Sequence, residues 1–463
     1  MNNKDFTKAL PQDLLNIEDK NRSNLFSWRG QFSPQLIERL LDAYCPSNSV
    51  VLDPFAGSGT VLYEAALKSL QAYGYEINPS AWSFSKVYEF SNYTPEGREH
   101  AIRGLQQEIK REFPIIIFNN EVLSPDTIEE KIIRISQSIG EPAKIIFNAL
   151  VVLLDIYNNQ ISNDFIQIKL VDLIRLIRDL PFSEKKIKAD LRDSRNLPLQ
   201  NEVIDFIVTS PPYINVFNYH QNYRRSVELL GWNSLRVAKS EIGSNRANRG
   251  NRFYTVVQYC IDMSSALQEM ARVLKPNGRA VLIVGHESKV LGTPFNNAEL
   301  IEQIATSSSM FDVVLRQNRV FLNRFGKSIR EDILHLLRLS CNQDDTILSK
   351  IGKSVALNGL KSALPSVPDN NRVYLEDAIN NINKIDGTPL FNSNGYAEYY
   401  TREKVMMVRE KEESFMKTII SQLPTPHLDK LNALINNPRL PSVDKPRVEE
   451  ALKRYNTWIH EME

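Results

Sequence analysis

The chain has 463 residues, enough for roughly two to three domains of ordinary size. No apolar run approaches the roughly 18 residues that a membrane-spanning helix needs, and residues 1–11 lack the apolar core of a secretory leader. A net charge of +1 gives no global attraction to a polyanion. Three scattered cysteines (Cys45, Cys260, Cys341) show neither metal-ligand spacing nor a disulfide framework, so a reducing cytoplasm is the expected compartment.

Residues 1–25 read as a polar N-terminal arm. The aromatic segment Phe26-Ser27-Trp28-Arg29-Gly30-Gln31-Phe32-Ser33-Pro34 follows. It reads either as core anchors for the arm or as part of a ligand site. Ser33 is placed to cap a helix with Pro34 at its first position. Ser49-Val50-Val51-Leu52 is a strand that runs into Asp53-Pro54-Phe55-Ala56-Gly57-Ser58-Gly59-Thr60 and then a helix to about residue 70. Glycines let this loop approach a ligand closely, but no Gly-Lys-Ser/Thr follows, so it is not a phosphate-cradling Walker loop. A second strand, Ala72 to Tyr75, ends at Glu76, where a carboxylate is placed for two vicinal ribose hydroxyls.

Residues 94–184 break the alternation of strands and helices. Glu99–Phe113, Pro125–Ser138, Ala143–Tyr157 and Phe165–Leu180 show helical periodicity, so this is a helical insertion, with packing as its default role. The sheet resumes at Lys186 and the strand ends at Asp190. Val203 to Val208 is the next buried strand, and Thr209-Ser210-Pro211-Pro212-Tyr213 forces the chain to turn at its carboxyl end, the ligand edge of an open α/β sheet. Arg236 to Arg252 looks too polar to bury; its Arg236, Lys239, Arg246, Arg249 and Arg252 make a basic loop suited to phosphate contact. A helix over 253–274 stops at Lys275-Pro276-Asn277-Gly278, with Gly278 suited to a positive φ. The strand Arg279–Gly285, the helix Asn296–Ser307 and a final strand pair, Phe311–Gln317 and Asp332–Leu339, complete a seven-stranded doubly wound, Rossmann-like sheet. Residues 341–463 read as a separate, mostly helical region with an irregular start at Pro365 and Pro368 and an aromatic patch at Tyr396, Tyr399 and Tyr400.

The strings DPFAGSGT (53–60) and TSPPY (209–213) together resemble the amino-group DNA methyltransferases, which act on N4 of cytosine or N6 of adenine with S-adenosylmethionine. FSWRGQFSP and LKPNGRAVLIVG are similar to further segments of that family. The resemblance covers 26–93 and 185–340, which it makes the catalytic domain. It implies that Asp53, Phe55, Gly57, Gly59 and Thr60 hold the methionine end of the cofactor, Glu76 its ribose and Asp190 its adenine amine. Ser210, Pro211, Pro212 and Tyr213 would form the pocket for a target base flipped out of double-stranded DNA. No metal is implied. A serine at position 210 goes more often with cytosine. The motif order usually accompanies Asn-Pro-Pro-Tyr instead, so target recognition is sought first in 341–463 with the basic loop, then in the insertion. The implied partners are DNA and, optionally, a restriction nuclease. The alternatives are an N6-adenine enzyme, an RNA base-amine methyltransferase, and a non-catalytic nucleic-acid-binding protein of the same fold. The intact motifs weigh against the last.

Overall fold

The computed structural model describes residues 7–392 apart from 18–20, 29–30, 115–120, 157, 215–218, 245–247, 249, 323–325 and 342–343. The patch at Tyr396, Tyr399 and Tyr400, the helices expected beyond it, and Arg29, Gly30, Arg246 and Arg249 lie outside the described residues.

The strands are β1 (Val50–Asp53), β2 (Gln71–Glu76), β3 (Ile187–Leu191), β4 (Ile204–Thr209), β5 (Leu274–Gly285), β6 (Glu287–Val290), β7 (Thr293–Asn296), β8 (Phe311–Leu322) and β9 (Ser328–Arg338). Seven form one sheet in the order β3-β2-β1-β4-β5-β9-β8, and β6 with β7 makes a separate two-stranded ribbon. β1 to β5 are parallel neighbours, while β9 runs antiparallel to β5 and β8 antiparallel to β9. The order reverses between β1 and β4, which opens a crevice at their carboxyl ends. The final antiparallel pair agrees with the sequence reading. The ribbon β6–β7 was not legible, because two four-residue strands with a proline carry almost no periodic signal.

The central strands β1, β4 and β5 are buried on both faces for most of their length, so they read as apolar runs rather than alternations. On β4, Phe206 and Val208 enter one core while Ile204 and Ile207 enter the other. The first core holds the N-terminal arm and the four insertion helices, Pro95–Glu112, Pro125–Ser138, Ala143–Leu154 and Asn163–Arg178. Buried Arg98 ties the insertion down: its guanidinium donates to the carbonyls of Phe90, Tyr93, Ile177, Arg178, Leu180 and Pro181. Those bonds satisfy carbonyls that a helix end otherwise leaves open. The insertion therefore packs in one core with the sheet.

The second core contains the helices Tyr254–Val273, Asn297–Ser307 and Asp345–Ala363. The last of these replaces the irregular segment expected after residue 340. It buries Leu348, Val355, Ala356 and Leu360, and Gly352 lets it approach the 254–273 helix, since a Cβ there would lie 2.8 Å from the Cys260 carbonyl oxygen. The described residues on either side of the expected boundary at 340/341 fall in one compact unit. Two smaller expectations are also corrected. Asn277, not Gly278, takes the positive φ, near the start of β5, while Gly278 is needed because a Cβ would meet the Lys275 carbonyl at 2.8 Å. Ser33 precedes the helix Pro34–Tyr44 but makes no side-chain cap bond. Among the described residues no helix is long and apolar enough to cross a membrane.

Candidate active site

A cleft of about 920 Å³, counting its open mouth, lies at the carboxyl ends of β1, β2 and β4. Phe55, Gly57, Thr60 and Glu76 face it from one side, Ser210, Pro212 and Tyr213 from the other. Two motifs 150 residues apart share one cavity because β1 and β4 are neighbours in the sheet.

The loop after β1 is shaped by backbone constraint. Gly57 and Gly59 adopt φ values of 51° and 92°. A Cβ on Gly59 would come within 2.7 Å of the Tyr88 ring and 2.9 Å of the Ser85 Cα, so no other residue fits without moving the backbone. Asp53 is 1% exposed. Its Oδ1 accepts from the Thr209 hydroxyl at 2.6 Å and the Phe55 amide at 3.1 Å, while Oδ2 has no partner among the described residues. Burial pushes the Asp53 carboxyl up to about 7, against the Thr209 and Phe55 bonds that pull it down. The Thr209 bond also joins the two motifs directly.

Glu76 ends β2. Its Oε1 accepts the amides of Ile77 (2.9 Å) and Asn78 (2.8 Å), and its Oε2 accepts that of Gly57 (2.9 Å). Burial again dominates, raising this carboxyl to about 7 despite three amide donors. Tyr213 lies against Gly285, where a Cβ would sit 2.8 Å from its ring, and its hydroxyl is 3.5 Å from the Ser210 Oγ. Pro211 is buried and, unlike Ser210 and Pro212 on either side of it, is not in the cleft lining.

Of the residues predicted at the cofactor, Asp53 and Gly59 are not in the cleft lining, and neither is Asp190. The Asp190 carboxylate pairs with Lys188 at 2.6 Å and does not line the cleft. Asp193 and Ser194, just past the end of β3, do. The strand continues one residue beyond Asp190, and only the loop after it bends toward the crevice.

The expectation that the basic loop is too polar to bury is corrected in part. Arg236 and Lys239 are exposed and Arg252 is half-buried, none of them lining the cleft. Between them, however, Val237, Ser240, Glu241 and Ile242 are buried, and the last three form a cleft wall. Part of this burial is compensated: the Ser240 carbonyl accepts from Arg195, and Glu241 Oε2 pairs with His220 Nδ1 at 2.9 Å. The aromatic segment contributes to the site as well. Trp28 and Gln31 line the cleft, and the Ser58 hydroxyl donates to Gln31 at 3.0 Å.

The residues present suit a ligand with an ammonium, a ribose diol and an apolar purine. Asp53, next in sequence to the lining residues Pro54 and Phe55 but not itself in the lining, has an unpartnered buried carboxylate oxygen that suits the cation, Glu76 suits the diol, and Phe55 and Ile77 offer apolar walls.

Comparison with known proteins agrees with the motifs. Residues 2–86 match the family model described as DNA methylase. The Type II methyltransferase M.MjaII of Methanocaldococcus jannaschii is 30% identical over 69 residues, 14% of this chain and 13% of that protein. The chain thus spans about an eighth of the length of this curated relative. A SAM-dependent methyltransferase of Methanosarcina mazei superposes with a TM-score of 0.32 at 12% identity, over 65% of this chain and 97% of that one. TYW2 of M. jannaschii, solved with AdoMet, gives 0.25 at 12% identity over 63% and 70%. Residues 2–86, with the DPFAGSGT loop they contain, are thus similar to the DNA methylase family, and the cofactor these matches support is S-adenosylmethionine.

Proposed function

We propose that this protein transfers the methyl group of S-adenosylmethionine to the exocyclic amine of a flipped base in double-stranded DNA, N4 of cytosine. The observation that carries this is the shared cleft of the Asp53–Thr60 loop and the Ser210–Tyr213 turn, joined by the Thr209–Asp53 hydrogen bond. The bound cofactor supplies an electrophilic sulfonium methyl. The residues supply position. Asp53 and Glu76 fix the cofactor's ammonium and ribose. The Ser210 hydroxyl and the Pro211 carbonyl accept the two N–H bonds of the target amine, which turns its lone pair out of ring conjugation and toward the methyl. Tyr213 offers its ring for stacking, and Arg236 and Lys239 offer charge to the phosphates. A duplex base cannot reach such a cleft, so flipping at a cost of a few kcal/mol belongs to the reading. Serine at position 210 favours cytosine, by resemblance.

The test is transfer of labelled methyl to DNA and to RNA, followed by digestion to nucleosides. Label in N4-methylcytosine is expected. Label in N6-methyladenine would reassign the base, label in RNA the polymer, and transfer to neither would end the enzymatic reading. Tyr213→Ala should lower transfer about 10-fold to 100-fold, as loss of one stacked base predicts, while binding of S-adenosylhomocysteine changes little. Equal loss of both would place the base pocket elsewhere.

The buried carboxyl of Asp53 also sets a pH dependence. Its value of about 7 means that the empty site takes up a proton as pH falls through neutrality. An ammonium needs the carboxylate, so binding must release that proton. Affinity for S-adenosylhomocysteine should therefore weaken by up to about tenfold per pH unit below 7. Titration calorimetry at pH 8, 7 and 6 checks this, and a flat affinity would count against Asp53 as the ammonium acceptor. The sign for stability follows from the same shift. A carboxyl raised above its ordinary 3.8 stabilises the empty protein most below that value, and the contribution is lost as pH rises through about 7.

A further inference from the structure

Glu76 is nearly saturated. A carboxylate offers about four acceptor positions, and three of those at Glu76 are taken by the amides of Gly57, Ile77 and Asn78. A ribose diol brings two O–H donors. One of them needs an acceptor elsewhere.

Glu241 is placed to be that acceptor. It stands in the cleft wall and is 4% exposed. Its Oε2 is held by His220 at 2.9 Å, but its Oε1 has no partner among the described residues. A buried carboxylate oxygen without a donor is costly, and a ligand hydroxyl removes the cost. Its charge is felt at Glu76, where it adds to the larger effect of burial. The loop around it spans both halves of the site. At one end the Ser240 carbonyl accepts from Arg195, which also holds cleft residue Asp193. At the other, Gly243 passes so close beneath the acceptor turn that a Cβ would lie 2.7 Å from the Tyr213 carbonyl oxygen.

We propose that Glu241 is the second ribose acceptor of the cofactor site, with its Oε1 taking the hydroxyl that Glu76 cannot. This rests on the assignment of S-adenosylmethionine as cofactor. Because the same loop carries Arg236 and Lys239, cofactor binding then fixes the segment that presents these cations.

Titration calorimetry on the full chain tests this, with S-adenosylhomocysteine and its 2′,3′-dideoxy analogue as probes. Glu241→Ala should weaken S-adenosylhomocysteine binding by about 10-fold to 100-fold, while the dideoxy analogue binds within about threefold of its wild-type affinity. Equal weakening of both ligands, or of neither, would overturn the assignment. Should Glu241→Ala fail to fold, Glu241→Gln carries the test. It keeps an oxygen for His220 but loses the charge, so the preference for the hydroxylated ligand should fall at least about threefold, and an unchanged preference would overturn the proposal. If the wild-type protein binds neither ligand, it is the cofactor assignment that falls.

Discussion

Arg195→Ala should destabilise the protein by about 3–5 kcal/mol at neutral pH, a large share of the roughly 5–15 kcal/mol that holds a domain together. Arg195 is 7% exposed and lies between two buried carboxylates. Its guanidinium makes a two-pronged bond to Asp193 (2.9 and 2.7 Å) and reaches Asp262 at 2.8 Å. It also donates to the carbonyls of Thr388, Pro389 and Ser240. Removing it leaves two acids facing each other without a cation, which is the costly way to break a buried pair. The pH dependence is signed. Burial already raises Asp262 to about 6, with Arg195 opposing, and loss of Arg195 raises it further. A raised carboxyl loses its stabilising contribution as pH rises through its folded value, so the deficit of the variant should be larger at pH 8 than at pH 5. Urea unfolding at both values measures it, and a deficit independent of pH would argue that lost packing dominates. Arg195→Lys keeps the charge but not the fork, so it should cost less than Arg195→Ala.

This cluster has a consequence for the cleft. Asp193 also accepts the Phe391 amide at 2.9 Å, and Thr388 donates to Asp262 through its amide (3.0 Å) and its hydroxyl (2.9 Å). The segment 388–391 is thereby stapled to the loop after β3, to the 254–273 helix and to the Ser240–Glu241 wall. Gly387 fits because a Cβ would lie 2.7 Å from the Asp262 Oδ1.

Ser210→Ala should lower methyl transfer by about 10²–10³-fold, the usual effect of deleting one positioned group that acts on developing charge. The hydroxyl is one of two acceptors proposed for the target amine. Without it one N–H has no acceptor, and the lone pair stays conjugated with the ring. S-adenosylhomocysteine affinity should stay within about threefold, since Asp53 and Glu76 are untouched. Single-turnover kinetics with saturating cofactor separates the two effects. A loss confined to cofactor affinity would remove Ser210 from the acceptor pocket. The 3.5 Å approach of Ser210 Oγ to the Tyr213 hydroxyl is long, so the serine is free to turn toward a base.

Asp193 shows where sequence reasoning stopped. Asp190 and Asp193 both follow an apolar strand pattern, and the strand's end decides which one faces the ligand. Such ends are uncertain by a residue or two from periodicity, and here β3 runs to Leu191. Glu241 was hidden differently. It lies in a stretch so rich in Arg, Asn and Ser that solvation was the natural reading, and nothing local announces His220 or Arg195 as partners. The same holds for the 345–363 helix, whose burial depends on a glycine facing another helix's backbone.

What the sequence determined by itself was whatever local chemistry enforces. Apolar runs made the seven strands, glycines at positive φ made the loop after β1, and a Pro-Pro pair ended β4. Those constraints act within a few residues, so they can be read in a line. The tertiary structure alone decided which carboxylates enter the cleft, that the insertion and residues 345–392 belong to one body with the sheet, and that a polar loop is buried. Each of these rests on hydrogen bonds between groups tens to hundreds of residues apart, such as Arg195 with Thr388 or Thr209 with Asp53. The cost of burying a polar group depends on a partner that only the fold brings near.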